Sequence, residues 1–187
     1  MNHVKIPYYD GEFYYEINSR SGNLIQHTKK NPDSLLPKKV KDALSLCENP
    51  YLVNPHNANI TELTEDSQKI KRLNRMHKFL LAIGNRRFYI SLLYSKMRRN
   101  LFDNTELAFS TISKTIPEQI ERRNELCLQR SLLALKTSNS FKKSGVLFIG
   151  AALPTGNMHA WIIESKCNPD HQDREWIMYR PLLAFYY

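Results

Sequence analysis

Two residues in the second half of the 187-residue chain have the types and the spacing needed for nucleophilic chemistry. Cys127 is the second residue of a leucine-rich run, 126–135, whose composition predicts a buried helix. His159 follows 32 residues later, near the start of an apolar run, 158–164, that predicts a strand. Free backbone amides and the dipole at a helix N-terminus stabilise a thiolate, and an imidazole can accept the thiol proton. The pattern predicts a Cys–His catalytic pair, with Cys127 at the first or second position of its helix.

A Cys–His pair usually needs a third group that orients the imidazole. The segment after the histidine strand offers Asp170, Asp173 and, less favourably, Asn168. We favour Asp173 because it is closest to the next predicted strand, whereas Asp170 follows a proline in the loop. Asp170 stays as the alternative. Backbone N–H groups at the helix start, including that of Cys127, are expected to form part of an oxyanion hole.

The same residues also have purely structural interpretations. A cysteine beside leucines is often a small buried apolar residue, and a histidine on a strand is often a hydrogen-bonded core residue. Cys167, His171 and His159 make a weak zinc pattern, because Cys-x-x-x-His lacks a second clear pair of ligands. We therefore predict no metal site. The sequence also contains no recognised nucleotide-binding motif.

The N-terminal residues predict a small sheet followed by a helix. Three β-rich runs, 4–9, 12–18 and 23–27, are separated by two turn signals, and apolar spacing predicts a helix from Pro37 to Cys47 that Asn49 and Pro50 end. A sheet with an exposed edge can accept a peptide as an added strand, because backbone hydrogen bonds supply affinity. A plain structural sheet is the alternative.

The elements that must position Cys127 and His159 come after a predicted linker at residues 50–60. An N-cap at Thr61 or Thr64 predicts the start of a helical region that continues, with a break near Gly84, to about Arg99. Within it, apolar residues fall at helical spacing from Ile70 to Ile83, and Phe88, Leu92 and Met97 continue that spacing less strictly. Further helices are predicted at 104–112 and 117–123, a hairpin from strands 146–152 and 158–164, and a last strand at 175–179.

Composition limits the class of protein. An apolar content of 42% fits a folded globular chain, and three cysteines at unrelated spacings predict free thiols in a reducing cytoplasm. The most apolar run, 79–83, is too short to cross a bilayer, so we expect no stable membrane insertion. The formal charge of +9 indicates nucleic acid, an anionic lipid surface or an acidic peptide or protein as a partner. Residues 69–99, the most basic part, form either such a binding surface or a solvated face.

Three motifs together resemble a specific family. They are C-L-x-R-S-L-x-A-L from Cys127, F-I-G from Phe148 and H-A-W-I-I-E from His159. These motifs and their spacing are similar to the transglutaminase-like cysteine peptidase domain of lasso-peptide B proteins, the leader peptidases of lasso-peptide biosynthesis. The N-terminal runs and helix resemble the leader-recognition element of the same family.

This resemblance implies an α+β fold in two parts. Residues 1–55 would form a small winged-helix-like leader-recognition domain, with a three-stranded sheet plus helices. Residues 56–187 would form the transglutaminase/papain-like cysteine peptidase domain. The leader would bind the N-terminal sheet as an added strand, and the residues expected to contact it are Tyr14, Tyr15, Ile17, Leu24 and Ile25.

The resemblance also implies a function. Cys127 would be the nucleophile, His159 the general base and Asp173, or alternatively Asp170, the third member of the triad. The enzyme would remove the leader of a ribosomally made precursor before an asparagine-synthetase-like cyclase closes the macrolactam. No intrinsic cofactor and no nucleic acid are expected, and ATP would be used by the cyclase. Two alternatives stay open: an amidase or acyl transferase of the transglutaminase superfamily acting on another peptide, and a non-catalytic leader-binding adaptor.

Overall fold

The computed structural model describes residues 1–28, 35–54, 67–83, 94–97, 99–115, 123–153, 155–170, 173 and 175–187. Over these ranges the chain is a mixed α and β protein with one four-stranded and one three-stranded sheet. In chain order the elements are β1 (Asn2–Lys5), β2 (Tyr8–Tyr9), β3 (Tyr14–Ile17), β4 (Leu24–His27), α1 (Lys38–Glu48), α2 (Ser67–Ile83), α3 (Thr105–Thr115), α4 (Arg123–Thr137), α5 (Phe141–Ser144), β5 (Gly145–Ala152), β6 (Asn157–Glu164) and β7 (Arg180–Tyr186), with 3-10 helices at Pro50–Leu52 and Trp176–Met178.

The larger sheet has the strand order β1-β7-β5-β6, and each neighbouring pair is antiparallel. The predicted hairpin of β5 and β6 is confirmed, with Gly150 opposite His159 in its register. Side chains alternate between the two faces of a strand. In β5, Leu147 and Ile149 accordingly belong to one apolar cluster, whereas Val146 and Phe148 belong to the other.

Helices cover both faces of this sheet. Residues of α2, α3 and α4 fill the cluster that contains Leu147 and Ile149, where Phe109 of α3 is fully buried. The opposite cluster receives the apolar stripe of α1, formed by Val40, Ala43 and Leu46. Because both faces are covered, β5 is buried along nearly its whole length, which explains its continuous apolar sequence.

The predicted single strand at 4–9 is wrong, because the chain changes sheets at Pro7. β1 pairs with β7 in the larger sheet, whereas β2 pairs with β3 in the smaller sheet, whose order is β2-β3-β4. The Ile6 N–H still donates to the Leu182 carbonyl oxygen at 2.8 Å. Proline has no N–H to continue such a ladder, so the pairing ends there.

The predicted strand at 175–179 is also wrong. Residues Trp176–Met178 form a 3-10 helix, in which the Met178 N–H donates to the Glu175 carbonyl oxygen at 3.0 Å. The strand is β7, which begins at Arg180 and contains Pro181 opposite Gly150. A register shift between Ile149 and Gly150 places this proline at an irregularity of the sheet, where its missing N–H is tolerated.

Contacts join the residues on the two sides of the predicted domain boundary at residue 55. The division into two domains stays a prediction. β1 is a strand of the larger sheet, and α1 packs on that sheet through the cluster containing Phe148 and Trp161. Several predicted features lie outside the described residues: most of the linker at 50–60, the N-caps at Thr61 and Thr64, the break at Gly84 with Phe88 and Leu92, and all but the last residue of the helix at 117–123.

Candidate active site

Cys127 lies on α4, and its position there differs from the prediction. At least four helical residues, from Arg123 onward, precede Cys127, so Cys127 is not the first or second residue of the helix. Only the first four N–H groups of a helix lack intrahelical acceptors, so the Cys127 N–H loses its basis as an oxyanion donor. α4 reaches the histidine strand through Ser131, whose Oγ donates to the Ala160 carbonyl oxygen at 3.2 Å.

His159 lies near the start of β6, with its side chain 11% exposed. Its Nε2 is 2.9 Å from Oδ1 of Asp173, so the Nε2–H donates to that carboxylate. This contact leaves Nδ1 as the ring nitrogen available to Cys127. The side chain of Cys127 forms a hydrogen bond with the His159 imidazole. Cys127, His159 and Asp173 therefore lie together in the order that a catalytic triad requires.

The electrostatics of His159 favour its protonated form. Burial lowers the pKa of the imidazole, but hydrogen bonds with Asp173 and Cys127, together with the charges of both groups, outweigh burial and raise the pKa to about 10. At neutral pH the imidazole is therefore an imidazolium. A positive ring beside Cys127 stabilises a thiolate, which is the nucleophilic form of cysteine.

Aromatic rings fix the plane of the His159 ring. Tyr179, which is 9% exposed, stacks on His159 with centroids 4.7 Å apart and an interplanar angle of 26°. Trp161 lies near the same ring at 6.1 Å and 17°. Sequence reasoning missed Tyr179, because it was assigned to a strand that does not form. The H-A-W spacing was a signal for Trp161 alone, because residues two apart on a strand share a face, which places Trp161 beside His159 on β6.

Asp173 accepts hydrogen bonds from two donors besides His159. Its side chain is 7% exposed, Oδ2 accepts a bond from Asn168 Nδ2 at 3.4 Å, and Oδ1 also accepts the Glu175 N–H at 3.3 Å. Asn168, the least favoured candidate for the third group, contacts Asp173. Asp170, the alternative, instead forms a two-point ion pair with Arg130. The carboxylate that the geometry places at His159 is thus Asp173.

The other two cysteines have surroundings unlike that of Cys127. Burial, with a smaller effect of Glu48, raises the pKa of Cys47 to about 12. Burial, with smaller effects of Glu106 and Glu164, raises the pKa of Cys167 to about 11. Both are therefore neutral thiols at physiological pH, and no disulfide joins any of the three cysteines.

The described residues contain no group of three His, Cys, Asp or Glu side chains that could hold a metal ion. His171, part of the weak zinc pattern, lies outside the described ranges. None of the helices in the described part of the chain is long and apolar enough to cross a membrane.

The residues predicted to contact a leader divide into two groups. Tyr15 and Ile17 are 8% and 0% exposed and belong to the apolar core, so their side chains face away from any peptide on the surface. Tyr14, Leu24 and Ile25 are half-buried. Leu24 and Ile25 lie on β4, an outer strand of the three-stranded sheet, where a peptide backbone could pair.

Comparison with protein-family models, curated proteins and solved structures found no match to this chain.

Proposed function

We propose that this protein is a cysteine endopeptidase that removes the leader from a ribosomally made lasso-peptide precursor. The observation that carries the peptidase chemistry is the arrangement of Cys127, His159 and Asp173, in which the histidine contacts both a thiol and a carboxylate. The substrate class is supported by the motifs at Cys127, Phe148 and His159, which resemble those of lasso-peptide B proteins.

In the proposed reaction, the Cys127 thiolate attacks the scissile carbonyl carbon, and the His159 imidazolium then gives its proton to the leaving amine. A thioester between Cys127 and the leader carboxyl group remains. His159, now neutral, takes a proton from water, and the resulting attack on the thioester releases the leader and restores the Cys127 thiolate and the His159 imidazolium. Asp173 accepts the Nε2–H bond throughout, which keeps Nδ1 directed at the sulfur and stabilises the imidazolium.

Leader binding is proposed at the outer edge of β4. The sheet containing β2, β3 and β4 offers backbone groups for strand addition, and Leu24 lies close to the turn at Gly156 that leads into the His159 strand. A peptide paired with β4 would therefore lie near the strand that carries the histidine. The net charge of +9 favours an acidic partner, either the leader or the asparagine-synthetase-like cyclase that would use ATP in the following step.

Cleavage of a lasso precursor by purified protein tests the proposal. Cys127→Ala and His159→Ala are expected to abolish detectable cleavage while leaving circular dichroism unchanged, and Asp173→Asn is expected to lower kcat by ~10³ or more, because an amide cannot stabilise the imidazolium as a carboxylate does. Cys167→Ala is the matched control and should cleave at the wild-type rate. Mass spectrometry of the products measures all four variants.

The same assay separates the alternatives. An acyl transferase would transfer the acyl group of its thioester to an added amine such as hydroxylamine in preference to water. A non-catalytic adaptor would support maturation equally well with Cys127→Ala, and that outcome would refute the nucleophile assignment.

A further inference from the structure

Arg130 follows Cys127 by three residues on α4 and is engaged with the loop that carries Asp173. Its Nη2 donates to Asp170 Oδ1 at 2.7 Å, and its Nε donates to Asp170 Oδ2 at 3.2 Å. Both side chains are largely buried, at 15% and 9% exposure. A two-point pair between a guanidinium and a carboxylate fixes orientation as well as distance, which a single contact from a lysine cannot do.

The guanidinium is also held by residues of α3. Arg130 Nη2 donates to Ser113 Oγ at 3.1 Å, and its Cζ lies over the Phe109 ring at 5.9 Å from the centroid. Arg130 therefore lies between a helix of the core and the loop after β6. Its position depends on α3 and α4, both of which are packed in the apolar core.

Two short connections carry this constraint from Asp170 to Asp173. The Asp173 N–H donates to the Asp170 carbonyl oxygen at 2.9 Å. The Asn168 side chain connects the same two residues, because its Oδ1 accepts the Asp170 N–H at 3.0 Å and its Nδ2 donates to Asp173 Oδ2 at 3.4 Å. Fixing Asp170 therefore fixes the carboxylate that contacts His159.

We propose that Arg130 is a positioning residue that acts through Asp170 to hold Asp173 against the His159 imidazole. This role rests on the proposed Cys127–His159–Asp173 arrangement. One helix would then carry the nucleophile and also set the position of the carboxylate at the far end of the triad. A buried ion pair is a poor source of stability compared with apolar packing, whereas it specifies geometry well.

The test uses two readouts that need no precursor peptide. The first is the NMR titration of the His159 imidazole, assigned by its loss in His159→Gln, and the second is the rate of Cys127 alkylation by iodoacetamide at pH 7, followed by peptide mass spectrometry. In Asp170→Asn and Arg130→Lys the His159 pKa is expected to fall by about one unit. The alkylation rate of Cys127 is expected to fall several-fold, while Cys47 and Cys167 stay slow.

A matched control separates positioning from general loss of stability. Glu16→Gln disrupts a partly buried ion pair elsewhere, where Lys5 Nζ lies 3.0 Å from Glu16 Oε1. This variant should leave both readouts unchanged. Arg130→Lys keeps the buried positive charge, so it provides a folded variant if Asp170→Asn does not fold.

A double variant tests the route through Asp173. In an Asp173→Ala background, adding Asp170→Asn should change neither the His159 pKa nor the alkylation rate further, because the group being positioned is absent. The proposal is overturned if folded Asp170→Asn and Arg130→Lys both match the wild type, or if Asp170→Asn has its full effect without Asp173. Failure of the protein to cleave a lasso precursor, with these readouts as expected, would reject the proposed substrate alone.

Discussion

At the scale of single residues, the contacts of His159 determine what the site can do. The imidazole bonds to Asp173 through Nε2, and its pKa is raised to about 10 despite burial. In the proposed reaction, the site would therefore hold its proton on the histidine before substrate binds. A general acid that is already protonated can supply the leaving amine with a proton as the carbon–nitrogen bond breaks.

The same pKa shift predicts how stability depends on pH. The folded-state pKa of His159 lies above its ordinary value of 6.5, so its contribution to stability is complete below pH 6.5 and is lost as pH rises toward 10. Between these limits the unfolding free energy of the wild type should fall relative to His159→Gln by an amount on the order of a few kcal/mol. Urea unfolding of both proteins at pH 6.5 and 10 measures this difference.

Comparing the wild type with His159→Gln cancels the effect of a second group, Lys136, that titrates in the same pH range. Burial, and to a smaller extent Arg99, lowers the pKa of Lys136 to about 8, which makes both proteins gain stability from about pH 8 to 10.5. Parallel pH profiles for the wild type and His159→Gln would contradict the imidazolium assignment.

At the residue scale, the chemistry-bearing side chains were largely predictable. Cys127, His159 and Asp173 follow from residue type, spacing and order along the chain, and the structure brings these three together. The helical position of Cys127 was not predictable, because Asn124, a residue type typical of helix N-caps, lies within the helix rather than before it. The role of Asp170 was not predictable either, because an ion pair with Arg130, 40 residues earlier, depends on tertiary packing.

At the scale of elements, the hairpin of β5 and β6 positions the histidine. Gly150 pairs with His159 across the hairpin and lies at the irregularity facing β7. A Cβ at this position would meet the Arg180 carbonyl oxygen and would lie 2.8 Å from Trp161 Cη2. The absence of a Cβ at Gly150 therefore lets β7 and the Trp161 ring lie close to β5 at the position that pairs with His159.

Gly150→Ala is expected to destabilise the protein by about 1–3 kcal/mol, because the new methyl group meets backbone atoms that cannot rotate away. It should also lower cleavage per folded molecule, since β6 must shift with His159. Urea unfolding and the cleavage assay measure the two effects. Gly145→Ala, at the other end of β5, meets the Phe141 ring and should cost stability alone. Full cleavage activity in folded Gly150→Ala would contradict the link to His159.

The sequence predicted the type of each element better than it predicted which strands pair with each other. Apolar spacing indicated α1 and α2, the leucine-rich run indicated α4, and apolar runs indicated β5 and β6. The strands beside prolines were misassigned, because Pro7 ends one pairing and Pro181 is tolerated at an irregular position that only the folded sheet creates. No local pattern shows that residues 2–5 pair with residues 183–186.

At the scale of the whole molecule, the N-terminal 50 residues contribute one strand to the larger sheet and one helix that covers it. β1 pairs with β7, and α1 buries its apolar stripe against the face containing Phe148 and Trp161. Removing residues 1–50 would expose that face to water. An unfolded or partly folded protein is the expected result, because a buried apolar surface loses its cover.

A chain of residues 51–187 is therefore expected to show no cooperative thermal transition and to bind a hydrophobic dye. The full-length protein carrying Val40→Ala is the milder control and should unfold cooperatively at a lower temperature, since Val40 is fully buried in the same cluster. Calorimetry and dye fluorescence measure both proteins. A sharp transition in the shortened chain would show that the N-terminal residues form an independent unit.

The pairing of β1 with β7 also has a kinetic consequence. Asn2 lies opposite Tyr186, so this contact closes a loop of almost the entire sequence. Contacts with such a large sequence separation form slowly, because the entropy of closing the loop must be lost before the pairing is gained. On the ribosome, β1 would emerge before β7 and would remain unpaired until β7 had been synthesised. During that interval its unpaired backbone is available to other strands, which makes chaperone binding and aggregation compete with folding.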